Sequence, residues 1–380
     1  MCAPQHLPGA GPVTIEFTPS DEQRALQALA HEFAERELRP VAPREEFPPG
    51  LLAKAARAGL TSYAIPREYG GGGVDSVTAA LIAEELSWGC AGLAATIQAT
   101  MFPVRPLVRF GTEEQRVRWL PRLASEEGCL AAIAFTEAHA GTDLQAIRAT
   151  ARRDRDDYVL DGEKCYVTNG GIAELTVVFA KLDGAITAFV LEAGDPGVQS
   201  GRVEDKLGLR ASHTGSIVLA DARIPRDRLL GAEGEGFAIA LDFFTASRPQ
   251  VAAGAVGLAR AAFEHATAYA RGREAFGRPL IAKQGVSFKL VEMGMAIEAA
   301  RLLVWRAASS GDPLLGSYAK AFAADAAMSV TTEAVQVLGG AGIMKDQPVE
   351  KWLRDAKVFQ IVEGTSEIQR EIAARLLARS

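Results

Sequence analysis

The chain has 380 residues, of which 48% are hydrophobic and 23% are charged, a balance typical of globular proteins long enough for two or three domains. This composition excludes a marginal miniprotein, a disordered chain and a coiled coil. Lys and Arg total 41 and Asp and Glu total 47, a net charge of −6, which opposes attraction to phosphate backbones and argues against a nucleic-acid partner.

The amino-terminal third of the chain has the pattern of helices. Between residues 20 and 126 the apolar residues recur at helical spacing, as in Leu26, Leu29, Ala30 and Phe33. Glycines at positions 70–73 follow Pro66 and predict a long turn. No Walker sequence follows them, which favours an ordinary loop over a phosphate-binding one. Residues 1–13 lack the basic and apolar runs of a secretory signal.

The middle of the chain has the sequence pattern of a β domain. Between residues 129 and 225, short runs rich in β-branched and aromatic residues alternate with Asp, Gly and Pro. These runs lie at 158–160, 176–180, 185–191 and 217–219. We therefore expect a domain of mostly antiparallel strands.

Helical periodicity returns at Gly236 and continues to Arg379. The long helical segments are predicted near 238–271, 284–309 and 313–338. The order of helices, strands and helices indicates an α+β fold with an inserted sheet, because the alternation that builds a doubly wound sheet is absent. This order weakens a dinucleotide-binding interpretation.

The cysteines and the hydropathy pattern bear on location. Four cysteines, Cys2, Cys90, Cys129 and Cys165, lie far apart and form no CxxC pair, which argues against a zinc knuckle or a disulfide framework and favours a reducing, intracellular setting. No uninterrupted apolar stretch reaches the roughly 18 to 20 residues that cross a bilayer. Residues 175–191 come closest but include Lys181 and Asp183. We therefore expect a cytoplasmic protein with no membrane partner.

Two segments of the β region carry candidate ligand-binding residues. In AFTEAHAGTD (134–143) an apolar strand gives way to a turn with Thr136 and Thr142, whose hydroxyls and backbone N–H groups can hold a ring edge or a phosphate. A plain polar turn is the alternative. In GEKCYVTNGG (162–171), Tyr166 and Thr168 share one strand face and could lie against a flat cofactor. Cross-strand core packing explains that pattern equally well.

Two further segments lie at predicted helix ends. Arg271, Arg273, Phe276 and Arg278 cluster where cations meet the negative end of a helix dipole, although a simple C-terminus closed by Gly277 and Pro279 would look the same. Gln336 precedes a glycine-rich stop that includes Gly340. Such a turn can offer N–H groups to a pyrophosphate.

The segment IVEGTSEIQR (361–370) contains the most informative carboxylate. Ser366 and Gln369 have the spacing of a capping box, so a helix is predicted to begin there. Gly364 permits the sharp turn that leaves Glu363 just before the helix. The sequence therefore predicts a carboxylate held on a rigid edge.

The neighbours of Glu363 suggest a chemical role for it. Ile361 and Val362 are expected to make its surroundings apolar. Desolvation raises the pKa of a carboxyl group toward the range that suits a general base. The alternative is an acidic residue that complements a helix N-terminus.

Taken together and in this order, these segments resemble the acyl-CoA dehydrogenase flavoprotein family across about residues 17–377. Further similar blocks begin KLGLRASHTG (206–215), SRPQVAAGAV (247–256) and QVLGGAGIMK (336–345). The stretch around Arg248 is most similar to the medium-chain branch. The resemblance implies a helical domain (1–127), a β-sandwich or barrel-like domain (128–233) and a C-terminal four-helix bundle (234–380).

The resemblance also implies FAD bound between the β domain and the bundle. Contacts to the flavin or its diphosphate would come from Phe135, Thr136, Thr142, Tyr166 and Thr168. The adenosine end, held mainly by a neighbouring subunit, would meet Arg273, Phe276, Gln284, Gln336 and Gly340. Thr365 and Glu367 are further implied cofactor-binding residues. A cofactor shared in this way implies a homo-oligomer, usually a tetramer.

By the same resemblance Glu363 is the catalytic base. It would take the α-proton of an acyl thioester while hydride leaves the β-carbon for flavin N5, giving a trans-2-enoyl thioester, with electrons passed on to electron-transfer flavoprotein. Some branches carry the base just before the arginine of the first bundle helix. Ser247 occupies that place here, which supports Glu363. Implied substrate-binding residues are Gln98, Phe102, Thr142, Thr245, Arg248 and Gly364.

Several positions depart from the family pattern. Tyr166 stands where many relatives have Trp, and Ala138, Ile343 and Val362 replace Pro, an aromatic residue and Tyr. Thr245 replaces an Asp that commonly meets the pantetheine arm, so the acyl carrier is either CoA or an acyl carrier protein. Gln98 and Phe102 are placed at the far end of the acyl pocket, where a bulky Phe102 favours a short or medium chain. Ordinary helix packing explains these two residues equally well.

No metal site is predicted, because the histidines have no HExxH spacing and no carboxylate cluster accompanies them. Two other functions compete with the dehydrogenase. An oxygen-reducing oxidase is disfavoured because related acyl-CoA oxidases typically have longer chains. An inactive acyl-thioester-binding homologue is disfavoured because both the base and the flavin motifs are present.

Overall fold

The computed structural model of the protein describes residues 18–378. The first helical region contains α1 (Asp21–Phe33), α2 (Leu51–Arg57), α3 (Ser76–Ala99), α4 (Val104–Phe110) and α5 (Glu113–Leu123). Capping boxes begin α1, through Ser20 and Gln23, and α5, through Thr112 and Gln115. Each box satisfies two N–H groups that a helix start leaves without partners.

The segment Ser76–Phe110 has the length and hydropathy of a membrane span, and 94% of its most apolar window lies buried inside the protein. The sequence interpretation missed this segment and pointed instead to 175–191, which forms two strands. The physical reason is that α3 packs against α1 on one side and the later helix Gly236–Gly272 on another, so it is apolar around most of its circumference. The expectation of no secretory signal concerns residues 1–13, which lie outside the described residues.

The middle region forms one eight-stranded sheet with the order β6-β7-β3-β2-β4-β5-β8, in which β1 pairs with β4. Its strands are β1 (Ala131–Ala134), β2 (Thr150–Asp154), β3 (Asp157–Thr168), β4 (Leu175–Leu182), β5 (Ala185–Glu192), β6 (Val198–Val203), β7 (Thr214–Pro225) and β8 (Leu229–Leu230). Only β1 and β2 run parallel to β4, so the expectation of mostly antiparallel strands is confirmed for the described residues.

The C-terminal region is helical again. It contains α6 (Gly236–Gly272), the hairpin β9 (Glu274–Ala275) and β10 (Arg278–Pro279), α7 (Gln284–Ser310), α8 (Pro313–Leu338), α9 (Val349–Phe359) and α10 (Ser366–Leu377). Helices α6, α7 and α8 pack against one another, α10 packs on α8, and α9 contacts both α6 and α8. The α+β class, with a β domain between two helical regions, is confirmed.

Candidate active site

Glu363 lies on a tight turn between α9 and α10. Its φ is 53° and that of Gly364 is 87°, so two successive residues adopt the left-handed conformation. The backbone N–H of Ser366 donates to the carbonyl of Gln360 across this turn, at 2.9 Å. We call residues 361–365 the base turn. The left-handed region costs a residue with a Cβ roughly 1 kcal/mol or more, so the surroundings must impose it on Glu363.

The predicted capping box at Ser366 and Gln369 is wrong by one residue. Thr365 is the N-cap of α10, and its Oγ1 accepts a hydrogen bond from the N–H of Ile368 at 3.2 Å. The amide of Gln369 instead donates from Nε2 to the carbonyl oxygen of Glu363 at 3.0 Å. The residue types were correct for a helix start, but the chain uses the threonine one position earlier.

Two helices surround the carboxylate of Glu363. Ser247 on α6 donates from Oγ to Glu363 Oε2 at 2.8 Å, and Lys320 on α8 donates from Nζ to the carbonyl of Gly364 at 2.6 Å. Arg248 is buried beside Ser247. Burial raises the pKa of Glu363, while Ser247, Lys320 and Arg248 oppose that rise. A carboxylate in these surroundings is a stronger base than one in water.

The burial of Glu363 does not come from its sequence neighbours. Ile361 and Val362 are 55% and 38% exposed, so the expectation that they would surround the carboxylate with apolar groups is not met. The side chains that cover Glu363 come from α6 and α8, which are distant in the sequence. Tertiary packing therefore sets the environment of this carboxylate.

The two β-domain segments meet at a backbone hydrogen bond, in which Cys165 N–H donates to the carbonyl of Thr136 at 2.9 Å. Tyr166 sits in a bulge of β3 with a φ of 56° and is 64% exposed. Thr136 and Thr168 are half-buried, and Val167 between Tyr166 and Thr168 is buried. An exposed aromatic face flanked by hydroxyl groups fits the edge and face of a flavin ring. Thr142 lies exposed on the same loop.

Phe135 differs from the other predicted flavin residues because its side chain is buried. Its ring centroid lies 4.3 Å from that of Phe179 in the sheet and 6.0 Å from that of Phe244 on α6. Phe244 lies one helical turn before Ser247. Phe135 therefore packs the β domain against the part of α6 whose Ser247 bonds the Glu363 carboxylate.

The residues predicted to meet the adenosine end gather at another end of the molecule. Lys289 on α7 pairs with Glu333 on α8 at 2.6 Å, which places the start of α7 beside the end of α8. Exposed residues at this end are Arg273, Phe276, Gln284, Gln336 and Gly340. Along α8, Gln336 lies about 24 Å from Lys320 at a rise of 1.5 Å per residue. The residues predicted to meet the adenosine end thus lie far from Lys320 and the base turn within one chain.

The predicted acyl-pocket residues lie beside an aromatic cluster. The rings of Phe102 and Phe243 meet edge to face with centroids 5.4 Å apart, and Phe243 and Phe244 meet similarly at 5.2 Å. Gln98 is half-buried in the last turn of α3. Thr245 donates from Oγ1 to the carbonyl of Leu241 in its own helix at 2.8 Å. We call Phe102, Phe243 and Phe244 the aromatic wall.

Sequence reasoning missed two residues beside the base turn, Lys320 and Asp325. The exposure of Lys320 is 1%, and Asp325 accepts hydrogen bonds from both Gln360 and Ser366. Charged residues inside an alanine-rich, buried helix are rare unless they have partners. That was the available signal, but the sequence could not show which residues the partners were.

Within residues 18–378, no group of three or more His, Cys, Asp or Glu side chains could hold a metal ion. His213 donates from Nε2 to the carbonyl of Gly170 at 2.9 Å, and His265 Nε2 lies 3.1 Å from Gln347 Oε1. Both contacts are structural.

Comparison with known proteins finds one family along most of the chain. Residues 20–127, 132–222 and 234–378 match the models of the N-terminal, middle and C-terminal domains of acyl-CoA dehydrogenase. The chain is 42% identical to an acyl-CoA dehydrogenase of Bacillus subtilis (strain 168), over 94% of this chain and 98% of that protein. It is 39% identical to a short-chain specific acyl-CoA dehydrogenase, mitochondrial, of Bos taurus, over 95% and 91%. The structure of butyryl-CoA dehydrogenase from Megasphaera elsdenii is similar, with a TM-score of 0.93, 39% identity and 96% and 100% coverage.

Proposed function

The chain belongs to the acyl-CoA dehydrogenase family of oxidoreductases, and from this premise we propose that it converts a short- or medium-chain acyl-CoA to the trans-2-enoyl-CoA with FAD as cofactor. The observation that carries the proposal is the partly buried carboxylate of Glu363, oriented by Ser247. We further propose that electron-transfer flavoprotein receives the electrons.

Glu363 takes the α-proton of the substrate in this proposal. Within the described residues, the donor to its carboxylate is Ser247, which bonds Oε2 and leaves Oε1 to accept a proton. The raised pKa of Glu363, caused by burial, makes it a stronger base. The α C–H of a thioester is a poor acid in water, so donors must also polarise the carbonyl as charge develops on its oxygen.

The residues at the β-domain loop suit FAD. When bound, FAD supplies a two-electron acceptor for the hydride that leaves the β-carbon. Tyr166 offers an exposed ring, and Thr136, Thr142 and Thr168 offer hydroxyl groups beside it. The buried pair Glu137 and Lys164, 2.6 Å apart, fixes the loop that carries these groups. These residues would hold the flavin ring through an aromatic side chain and hydroxyl groups.

We propose a homo-oligomer, and specifically a tetramer. Phe276 at the tip of the β9–β10 hairpin is 96% exposed, and it lies with the group of residues that is remote from Glu363. An apolar stripe also covers one face of α7, formed by Phe288, Val291, Met295 and Leu302. Exposed apolar faces of this kind mark protein contacts. A second subunit would cover the stripe and bring the adenosine-binding group to its partner's site.

The aromatic wall supports a preference for short acyl chains. Phe243 and Phe244 stand about one helical turn, near 5.4 Å along the axis, before Ser247, and Phe102 closes against Phe243. The similarity to a butyryl-CoA dehydrogenase points in the same direction. The hydroxyl of Thr245 bonds its own helix. This residue does not distinguish CoA from an acyl carrier protein as the carrier of the acyl group.

We also propose a cytoplasmic location. Cys90, Cys129 and Cys165 are free and buried, as is usual for proteins of reducing compartments.

Anaerobic titration of the purified flavoprotein tests the proposal. Butyryl-CoA, octanoyl-CoA, palmitoyl-CoA and the matching acyl carrier protein thioesters are added in turn, and the oxidised flavin band is followed. We expect bleaching that is fastest with butyryl-CoA. Absence of bleaching with every thioester would contradict a dehydrogenase function. In a separate assay in air, hydrogen peroxide formed in proportion to substrate, faster than reduction of electron-transfer flavoprotein, would indicate an oxidase instead.

A further inference from the structure

The two ends of the base turn are joined by one carboxylate. Asp325 on α8 accepts from Gln360 Nε2 at 2.7 Å and from Ser366 Oγ at 3.0 Å, both through Oδ1. Gln360 is the last residue before the turn and Ser366 is the first after it. The other oxygen of Asp325 pairs with Arg370 on α10 at 2.5 Å. A single side chain of α8 thus fixes the span of the turn that carries Glu363.

The centre of the base turn is held by a second side chain of α8. Lys320 Nζ donates to the carbonyl of Gly364 at 2.6 Å, and the lysine is 1% exposed. Within residues 18–378 no carboxylate lies within ion-pair distance of this ammonium. Glu363 and Asp325 nevertheless lie close enough to stabilise its charge.

Burial of the Lys320 ammonium costs free energy of folding. A buried ammonium without a directly bonded carboxylate loses hydration that one carbonyl does not replace. An apolar residue of similar length would fill the same space and remove that cost. The cation does, however, face Glu363, and it bonds the backbone of a residue whose φ of 87° is part of the left-handed turn.

We infer that Lys320 and Asp325 are positioning residues for the catalytic base, Asp325 by fixing both ends of the base turn and Lys320 by fixing its centre and placing a positive charge toward Glu363. The inference rests on the proposed function, since it concerns the base of that reaction. Neither residue touches the reacting atoms in this scheme. They act through the position and the charge environment of Glu363.

The charges around Glu363 predict the direction in which its pKa changes when one of them is removed. The groups facing it are Arg248 from α6 and Lys320 from α8, with Asp325, Glu367 and Arg370 in the next layer. Each cation stabilises the carboxylate form of Glu363 and so lowers its pKa. Removal of the Lys320 charge therefore raises the pKa of Glu363, and the acid limb of the rate profile moves to higher pH.

Lys320 itself is sensitive to pH. Burial lowers the pKa of Lys320 to about 8, although Glu363 and Asp325 oppose that fall. The ammonium is therefore charged at pH 7 and begins to lose its proton within about one unit above. The position of the base turn is most secure below that range.

The test uses the FAD-loaded enzyme with Lys320→Met, which keeps the length of the side chain and removes its charge. We expect kcat for the best acyl-CoA to fall roughly 10- to 100-fold, with KM changed little and the acid limb of kcat moved to higher pH. Amide hydrogen exchange of residues 360–366, a readout independent of turnover, should become faster. Lys54→Met, which removes an exposed ion pair with Glu37 in the first helical region, is the charge-matched control and should change none of these.

A pair of variants at Asp325 separates positioning from general stability. Asp325→Asn keeps an acceptor oxygen for Gln360 and Ser366, whereas Asp325→Ala removes it. We expect Asn to retain most of the rate and the exchange protection, and Ala to lose both. This comparison tests the role of Asp325 even if Lys320→Met fails to bind FAD, and hydrogen exchange of residues 360–366 in Lys320→Met still tests the role of Lys320.

The outcomes distinguish a failure of the proposed function from a failure of the positioning roles. Wild-type enzyme that reduces no flavin with any thioester would overturn the proposed function. If the wild-type enzyme reacts but Lys320→Met changes neither the pH profile nor the hydrogen exchange, the positioning role of Lys320 alone is overturned. If Asp325→Ala behaves like Asp325→Asn, the positioning role of Asp325 is overturned.

Discussion

Ser247 Oγ donates a 2.8 Å hydrogen bond to Glu363 Oε2, although the two residues are 116 positions apart in the sequence. The contact joins α6 to the turn before α10, so the carboxylate proposed as the base is oriented by a different element from the one that carries it. By the family resemblance, Ser247 occupies the place where some branches carry the base itself. In this chain that position supports the carboxylate instead of replacing it.

The Ser247 hydrogen bond lowers the pKa of Glu363, the proposed base. Ser247→Ala removes a donor that favours the carboxylate form, so the pKa of Glu363 rises further. A hydrogen bond worth about 1 kcal/mol corresponds to roughly 0.7 pH unit. We expect the acid limb of kcat to move up by that amount, measured by steady-state rates across pH. An unmoved limb, or one shifted to lower pH, would show that the contact does not affect the base.

The aromatic wall should set acyl chain length. Phe243→Ala removes a buried ring that packs against both Phe102 and Phe244. The new space should accept further methylene groups, so kcat/KM for octanoyl-CoA relative to butyryl-CoA should rise roughly tenfold or more. Phe263→Ala, later on the same helix, is the matched control and should leave that ratio unchanged. If the ratio of kcat/KM for octanoyl-CoA to that for butyryl-CoA is equal in both variants, the aromatic wall does not line the acyl pocket.

The loop that carries Thr136 depends on a buried ion pair. Burial alone would raise the pKa of Glu137, but Lys164 and the backbone N–H groups of Arg148 and Ala149 outweigh it and lower that pKa. A lowered folded-state pKa contributes stability that is present above the unfolded value, about 4.3, and is lost as pH falls through the folded value. We therefore expect thermal stability of the wild type to drop below pH 4.

Lys164→Met tests the same pair directly. It leaves Glu137 buried without its cation, which typically costs about 3 to 5 kcal/mol. The variant should melt at a lower temperature and release FAD more readily, measured by flavin fluorescence on dilution. Unchanged melting and unchanged FAD retention would mean that the pair does not support the loop.

The apolar stripe on α7 predicts that subunits of this protein assemble through that face. Met295→Arg places a charge in the middle of an exposed apolar face, where Met295 is 65% exposed, and should convert the oligomer to smaller species by light scattering. Flavin content should fall with it, because the adenosine-binding group would no longer meet its partner's site. Val117→Arg, at a 59% exposed residue of α5, is the control and should assemble normally. A Met295→Arg protein of wild-type size would contradict the proposed interface.

The long helices could be predicted closely because their apolar periodicity and their end signals agree. The predicted segments 284–309 and 313–338 correspond to α7, Gln284–Ser310, and α8, Pro313–Leu338. Local signals were less reliable where two residues compete. Thr365 and Ser366 can each cap a helix, and the sequence could not tell which one does.

The site could be predicted only in part, because its geometry depends on distant contacts. The local pattern identified Glu363, but not that α6 and α8 bury it while Ile361 and Val362 stay exposed. The alternation of Tyr166 and Thr168 was visible, whereas the bulge that gives Tyr166 a φ of 56° was not. Long-range packing decides these features, and one sequence contains no direct record of it.

The rate of anaerobic flavin reduction in Glu363→Gln is the most direct test of the account. The amide keeps the shape of the side chain but cannot take the α-proton, so we expect the reduction rate with butyryl-CoA to fall roughly 10²- to 10⁴-fold, with FAD content and substrate binding retained. Glu371→Gln, at an exposed carboxylate of α10 paired with Arg375, is the control and should react like the wild type. A Glu363→Gln enzyme that keeps more than about a tenth of the wild-type rate would contradict the assignment of Glu363 as the base.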